Sequence, residues 1–181
     1  MQGGVRILGI DPGSNYLGIA CVESRGNNLR CIGHSAIHVS KNVSAEDWPI
    51  RLKNIYIAVS DAIDLWKPTV VSVEDVFFAK NAQSALKLGQ ARGAAIASAT
   101  MKNLSVFEYS PTMIKQSITS NGRAEKTQVF QMVKMILGAS LQECGDIARY
   151  DASDALAIAI CHAQQNHRRT LFQVGSLEAS R

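Results

Sequence analysis

The sequence predicts an α/β fold built on a mixed five-stranded sheet, with helices packed on both faces. Three β-forming segments come first and are close enough along the chain to pair as an antiparallel meander. Two further β-forming segments then alternate with helical patterns, an order that favours parallel pairing through right-handed crossovers. The chain has 181 residues, 46% of them hydrophobic, which is enough for one packed core. We therefore expect one domain over residues 1–168 and a flexible tail over 169–181.

Each predicted strand is a run of apolar and β-branched residues bounded by turn residues. These runs cover residues 5–10, 17–22, 29–39, 69–73 and 104–109. Gly26 and Asn27 suit the positive φ angles of a tight turn between the second strand and the third. Acidic residues follow directly on two of the strands, Asp11 on the first and Glu74 on the fourth.

Five helices are predicted from apolar residues spaced three and four apart and from their capping residues. The first begins at a capping-box-like pair, Ser44 and Asp47, and is closed by Pro68. The others cover residues 81–101, 110–119, 125–137 and 150–165, with Gly138 as the stop of the fourth. In the second helix, Gly89 and Gly93 leave a smooth face on which another helix could approach closely.

Composition excludes several classes of protein. No segment approaches the roughly 18 apolar residues of a membrane span, and the first residues lack the pattern of an export signal. The four cysteines contain no C-x-x-C pair, so we expect reduced thiols in a cytosolic protein. A net charge of +4 is compatible with an anionic partner.

Four carboxylates are predicted to converge from three distant parts of the chain. Asp11 and Glu74 lie at the ends of strands, which gather at one edge of a sheet. Asp151 and Asp154 are three residues apart near the start of a helix and so share a face. Clustered carboxylates favour a hard cation such as Mg²⁺ or Mn²⁺. Taken alone, Asp11 is also typical of a turn, and Asp151 of a residue that favours the helix dipole.

A basic stretch follows the second of these acids. Residues 79–134 carry eight basic and two acidic side chains, an excess of six positive charges. A pair of metal ions beside such a stretch is suited to phosphodiester hydrolysis on a nucleic acid. Individual lysines of the stretch are also typical of a solvated surface.

These motifs together resemble the RuvC family of bacterial Holliday junction resolvases, over roughly residues 5–165. The residues that carry the resemblance form five segments. They are Gly9-Ile10-Asp11-Pro12-Gly13-Ser14; Glu74 to Asn81 with Ser84 to Gly93; Pro111 to Gln116; Ala124 to Val129; and Asp151-Ala152-Ser153-Asp154-Ala155-Leu156-Ala157. The first segment is shared with actin-like ATPases, whereas the run to Gly93 and the last acidic segment are specific.

The resemblance implies a ribonuclease-H-like fold, a homodimer, and Mg²⁺-dependent paired incision of four-way DNA junctions in recombination and repair. It implies that the four acids bind metal, one or two ions per site, and that Mn²⁺ can substitute. Lys115 and Lys126 match family lysines near the scissile phosphate, and Phe77 matches an aromatic that stacks on junction bases. Lys80 and Arg123, from the same basic stretch, are expected to contact DNA. Partnership with the RuvA–RuvB branch-migration complex is implied as well.

Three other functions remain open on the sequence. A nuclease of the same fold could act on RNA–DNA hybrids instead of junctions. A junction-binding protein without activity is disfavoured, because it would gain nothing from repelling carboxylates. An actin-like ATPase would need a second Gly-rich phosphate turn, and the late acidic segment, Asp151-Ala152-Ser153-Asp154, contains no glycine.

Overall fold

The computed structural model describes residues 4–44, 47–75 and 81–178 of the chain. Five strands and five helices follow one another in the predicted order. They are β1 (Val5–Pro12), β2 (Tyr16–Arg25), β3 (Asn28–His38), α1 (Trp48–Trp66), β4 (Val70–Glu74), α2 (Ala82–Met101), β5 (Ser105–Tyr109), α3 (Pro111–Thr119), α4 (Lys126–Glu143) and α5 (Tyr150–Glu178). No helix of the described residues has the length and apolar character needed to cross a bilayer.

The strands form one mixed sheet in the order β3-β2-β1-β4-β5. β1, β2 and β3 pair as an antiparallel meander, and β4 and β5 are parallel to β1. The predicted mixed five-stranded sheet is therefore confirmed. Because β1 and β4 are parallel neighbours, with Ile10 opposite Val73, the acids that follow these two residues emerge at the same edge.

The helices cover both faces of the sheet and bury a separate apolar cluster on each. On one face α3, α4 and α5 enclose a cluster that includes Ile7, Val133 and Leu156. On the other face α1 and α2 enclose a second cluster around Leu8 and Val59. Ile7 and Leu8 are adjacent in β1 and point to opposite faces, as the alternation along a strand requires.

Two glycines let the backbone of α5 approach the sheet directly. A Cβ on Gly9 would lie 2.1 Å from the carbonyl oxygen of Ala155, and one on Gly18 would lie 2.0 Å from that of Asp151. Both contacts are far below van der Waals distance and involve the helix backbone, so a side chain at either position would displace α5. The buried Ser72 hydroxyl, 3.4 Å from the Ile158 carbonyl oxygen, adds a polar contact between β4 and α5.

Three local expectations need correction. The side chain of Asp47 makes no capping hydrogen bond at the start of α1, where Pro49, the second residue of the helix, has no backbone N–H that needs a partner. Gly138 breaks α4, with a φ of 49°, but the helical path resumes and continues to Glu143. The last helix continues past Gln165 as far as Glu178, because a helical backbone forms its hydrogen bonds within the segment and does not depend on an apolar stripe. The flexibility of the tail and the division at residue 168 stay predictions.

Candidate active site

The first half of the site is made by two strand ends. Asp11 is the second-to-last residue of β1, and Glu74 is the last residue of β4, the parallel neighbour of β1. Both strands are almost entirely buried up to these positions. The sequence places the two acids here because the apolar runs end where the sheet meets solvent.

The second half comes from the first turns of α5. Asp151 and Asp154 are both partly exposed, and the helix that carries them packs on β1 and β2 through Gly9 and Gly18. The docking of α5 brings Asp154 into the same cleft as Asp11 and Glu74. Asp151 lies at the rim, outside the residues that line this cleft, although its charge acts on Asp11.

The carboxylates lie close enough to oppose one another's ionisation. Burial, reinforced by the charges of Glu74, Asp154 and Asp151, raises the pKa of Asp11 to about 8. Burial and the charge of Asp154 also raise the pKa of Glu74. A site that holds these acids ionised at neutral pH requires added positive charge.

Two lysines from the basic stretch supply part of that charge. Lys126, the first residue of α4, places its Nζ 2.9 Å from Oδ2 of Asp154, and this hydrogen bond raises the pKa of Lys126. Lys115, on α3, lines the same cleft, and its charge opposes part of the rise in the pKa of Glu74. The cleft measures about 130 Å³ and brings together five of the six predicted catalytic residues: Asp11, Glu74, Lys115, Lys126 and Asp154.

Comparison with known proteins identifies the family of this chain. A family profile described as "Crossover junction endodeoxyribonuclease RuvC" matches residues 7–162. The RuvC of Citrifermentans bemidjiense is 49% identical over 167 residues, covering 92% of this chain and 97% of that protein. The RuvC of Geobacter sp. strain M21 is 51% identical, covering 87% of this chain and 91% of that protein. The chain belongs to the RuvC family.

Solved structures agree with this assignment. RuvC of Thermus thermophilus, solved in complex with a Holliday junction substrate, superimposes with a TM-score of 0.78 at 32% identity, covering 92% of this chain and 97% of that chain. The yeast mitochondrial Holliday junction resolvase superimposes with a TM-score of 0.66 at 14% identity, covering 93% of this chain and 82% of that chain. The second match supports the fold alone. The predicted ribonuclease-H-like α/β fold is confirmed.

RuvC nucleases depend on a divalent metal ion, and the donor set of this chain fits one. Within residues 4–44, 47–75 and 81–178, no three acidic, His or Cys side chains form a complete ligand set. The acids of the cleft nevertheless offer only hard carboxylate oxygens, the ligands that Mg²⁺ and Mn²⁺ prefer. Burial, together with the neighbouring carboxylates, raises the pKa of Asp11, and a bound cation would favour its ionised form.

Asp75, the residue next to Glu74, has a structural partner outside the cleft. Its carboxylate lies 3.6 Å from a guanidinium nitrogen of Arg92, which also pairs with Glu108 on β5. The Asp75 backbone amide donates to the carbonyl oxygen of Tyr109 at 2.8 Å. Of these two adjacent acids, Glu74 and not Asp75 therefore lines the cleft.

Of the other predicted DNA contacts, the structure describes only Arg123. Arg123 is exposed in the loop between α3 and α4 and is not among the residues that line the cleft. Phe77 and Lys80 fall in the stretch 76–80, outside the described residues, so their roles stay predictions.

Sequence reasoning missed the nearest partner of Asp151. The Nε of Arg149 lies 3.1 Å from Oδ2 of Asp151. Arg149 comes from the connection between α4 and α5, which has no periodic pattern and lies outside the basic stretch. The only sequence signal for it is a basic residue two positions before an acid.

A larger groove of about 400 Å³ lies between α1 and the β2–β3 hairpin, on the other side of the sheet from α5. Its lining is mainly apolar, with Ile57 and Leu65 among the exposed residues, and Asp61 is its one acidic residue. It lacks the convergent ionisable groups of the smaller cleft, so volume alone does not identify the site.

Proposed function

We propose that this chain is a junction-resolving endonuclease that cuts four-way DNA junctions by paired, Mg²⁺-dependent phosphodiester hydrolysis. The observation that carries the proposal is the cleft in which Asp11, Glu74 and Asp154 meet Lys115 and Lys126, in a chain of the RuvC family. The Thermus thermophilus relative solved with a junction substrate supports the choice of substrate. We place the protein in the bacterial cytoplasm, in line with its bacterial relatives.

The acidic and basic residues of the cleft have different roles. One or two Mg²⁺ ions, which Mn²⁺ could replace, would be held by the four acids and would activate water while stabilising the leaving oxygen. Lys126 holds the Asp154 carboxylate in place at 2.9 Å and can share its charge with an incoming phosphate. Lys115, half-buried in the wall of the cleft, offsets the charge that develops on the phosphate oxygens. The products would carry 5′-phosphate and 3′-hydroxyl ends that a ligase can seal.

Paired incision requires two sites at a fixed separation, which a homodimer supplies. α2 offers a surface for a second copy, because a Cβ on Gly89 or Gly93 would meet no atom of the described protomer within 4 Å. We propose this face as the dimer contact. Cooperation with RuvA–RuvB, base stacking by Phe77, and backbone contacts by Lys80 and Arg123 complete the proposal.

Incision of an end-labelled immobile four-way junction tests the function. We expect symmetric nicks confined to the junction, dependent on Mg²⁺ and absent in EDTA. Duplex DNA and an RNA–DNA hybrid serve as control substrates. Cleavage of the hybrid but not of the junction would move the protein to another class of nuclease, and junction binding without cleavage would indicate a binding protein.

Two matched variants separate the site from the rest of the surface. Asp11→Asn should bind junctions but leave them uncut, because it removes a carboxylate from the centre of the cleft. Asp64→Asn removes an exposed carboxylate of α1 that pairs with Lys102, and it should cut like the wild type. Retained cleavage by Asp11→Asn would contradict the assignment of the four acids.

Lys126→Ala should slow single-turnover incision more than it weakens junction binding. The lysine contacts Asp154 inside the cleft, and its charge acts where the phosphate reacts. Single-turnover rates and dissociation constants, measured on the same junction, check this. An unchanged rate with weakened binding would make Lys126 a DNA contact only.

A further inference from the structure

A stack of three side chains stands at the rim of the active site. The guanidinium of Arg149 lies over the ring of Tyr16, with 3.5 Å between its central carbon and the ring centroid. Tyr16 in turn stacks on His38, with ring centroids 4.4 Å apart and planes 12° apart. Because two groups cannot share one face of a ring, Tyr16 lies between Arg149 and His38.

The stack is built into the sheet. Tyr16 begins β2 and His38 ends β3, and the two residues are directly paired in the antiparallel register. Arg149 immediately precedes α5, whose first turn contacts β2 where Gly18 faces the backbone of Asp151. The position of Tyr16 is therefore set by the same packing that sets the position of the acids.

Arg149 is held from two directions but remains accessible. Its Nε contacts the Asp151 carboxylate at 3.1 Å, while 45% of its side chain is exposed. A guanidinium carries five N–H donors in a rigid fork, so the contact through Nε leaves donors for a second anion. Both restraints reduce the conformational freedom that the side chain would lose on binding.

The geometry points to Arg149 as a DNA-binding residue at the rim of the active site, pre-oriented by Tyr16 and Asp151 to bind a backbone phosphate next to the one that is cut. This inference rests on the proposed function and adds a contact to it. A phosphate is the matching ligand because the guanidinium fork can donate two parallel hydrogen bonds to it. The contact reads no base, so it strengthens binding to every junction sequence equally.

Junction binding in EDTA, where hydrolysis does not proceed, tests the inference. Arg149→Gln should weaken binding on the order of tenfold, as expected for a charge-assisted phosphate contact. It should also reduce the slope of log K against log salt concentration by about one for each protomer bound. Arg149→Lys should keep the salt slope, because it keeps the charge. The loss in affinity should be the same for junctions of different crossover sequence.

Two further variants sharpen the test. Tyr16→Leu keeps the charge but removes the ring under the guanidinium, so it should weaken binding without changing the salt slope. Arg30→Gln is the matched control. Like Arg149, Arg30 is exposed and pairs with a carboxylate, that of Glu143, at 3.0 Å. Glu143 ends α4 and is therefore far from Lys126, which begins that helix in the cleft. It should leave binding unchanged.

The outcomes separate this inference from the proposed function. Equal affinities and slopes for wild type and Arg149→Gln would overturn the role of Arg149 and leave the proposed function intact. A wild type that binds four-way junctions no better than duplex DNA would contradict the proposed function itself. A loss in Arg149→Gln that varies with crossover sequence would also overturn the inference, because a phosphate contact does not distinguish bases.

Discussion

Two pairs of glycines, one in the sheet and one in a helix, have opposite surroundings. Gly9 and Gly18 lie under α5, where a Cβ would come within 2.1 Å and 2.0 Å of backbone oxygens. Gly89 and Gly93 lie on α2, where a Cβ would meet nothing within 4 Å. The first pair is required by the packing of the protomer, whereas the second pair has no such requirement within it.

The difference shows that a glycine in the sequence does not by itself reveal its structural role. A glycine inside a helix is conspicuous because it costs about 1 kcal/mol against alanine. A glycine inside a strand is less conspicuous, yet Gly9 and Gly18 allow the helix with Asp151 and Asp154 to reach the strand with Asp11. The strand glycines therefore position the acids of the cleft, whereas the helix glycines leave a surface that a partner could contact.

Replacing a strand glycine should have the largest effect. Gly18→Ala places a methyl group 2.0 Å from the Asp151 carbonyl oxygen and 3.2 Å from the Cβ of Asp11, so α5 must move. We expect a loss of about 1–3 kcal/mol in the free energy of unfolding. A misplacement of about 1 Å can slow catalysis about 100-fold, so incision should fall at least that far. Urea unfolding and junction incision check both effects, and wild-type values in both would contradict the packing argument.

Replacing the central acid should change stability by an amount that depends on pH. In EDTA the raised pKa of Asp11 means that the folded state binds more protons than the unfolded state between pH 3.8 and about 8. Stability should therefore fall as pH rises through this window. Glu74 contributes in the same direction, while Lys126, whose pKa is raised above 10.5, keeps its contribution throughout.

Thermal unfolding at several pH values measures this dependence, since about 2–4 °C in Tm corresponds to each kcal/mol for a chain of this size. Asp11→Asn should flatten the profile and raise the Tm at pH 8. Added Mg²⁺ or Mn²⁺ should raise the wild-type Tm at pH 8 more than that of the variant. An identical pH profile for both proteins would show that Asp11 ionises normally.

Replacing a helix glycine should have the smallest effect on the protomer. Gly93→Ala adds a methyl group that meets no neighbour, and it should stabilise α2 by up to about 1 kcal/mol. If the α2 face is the dimer contact, the same methyl group should weaken dimerisation. Unfolding of the dissociated protein and sedimentation equilibrium measure the two effects separately. If Gly93→Ala lowered the free energy of unfolding of the protomer as much as Gly18→Ala does, the two pairs of glycines would not differ.

Sequence patterns predicted the order of the elements and most of the residues that meet in the cleft. Apolar runs that end at Asp11 and Glu74, and the three-residue spacing of Asp151 and Asp154, follow local rules that pattern analysis detects. The five-stranded mixed sheet followed from element order in the same way.

The contacts between distant segments could not be predicted in this way. The hydrogen bond between Lys126 and Asp154, the pairing of Asp75 with Arg92, and the stack at Tyr16 depend on how the helices meet the sheet. No periodicity reports which of two adjacent acids faces inward, because backbone register and burial decide it together. Gly138 illustrates the same limit: a glycine predicts a break, but packing decided that the helix would resume.

The order in which the site residues occur along the chain has a consequence for synthesis. Asp11 is made early, Glu74 midway, and Asp154 only with the last helix, whose residues also form much of one apolar cluster. A growing chain on the ribosome therefore holds an incomplete set of acids until α5 has emerged and docked on Gly9 and Gly18. Assembly of the acid cleft is thus coupled to the completion of folding.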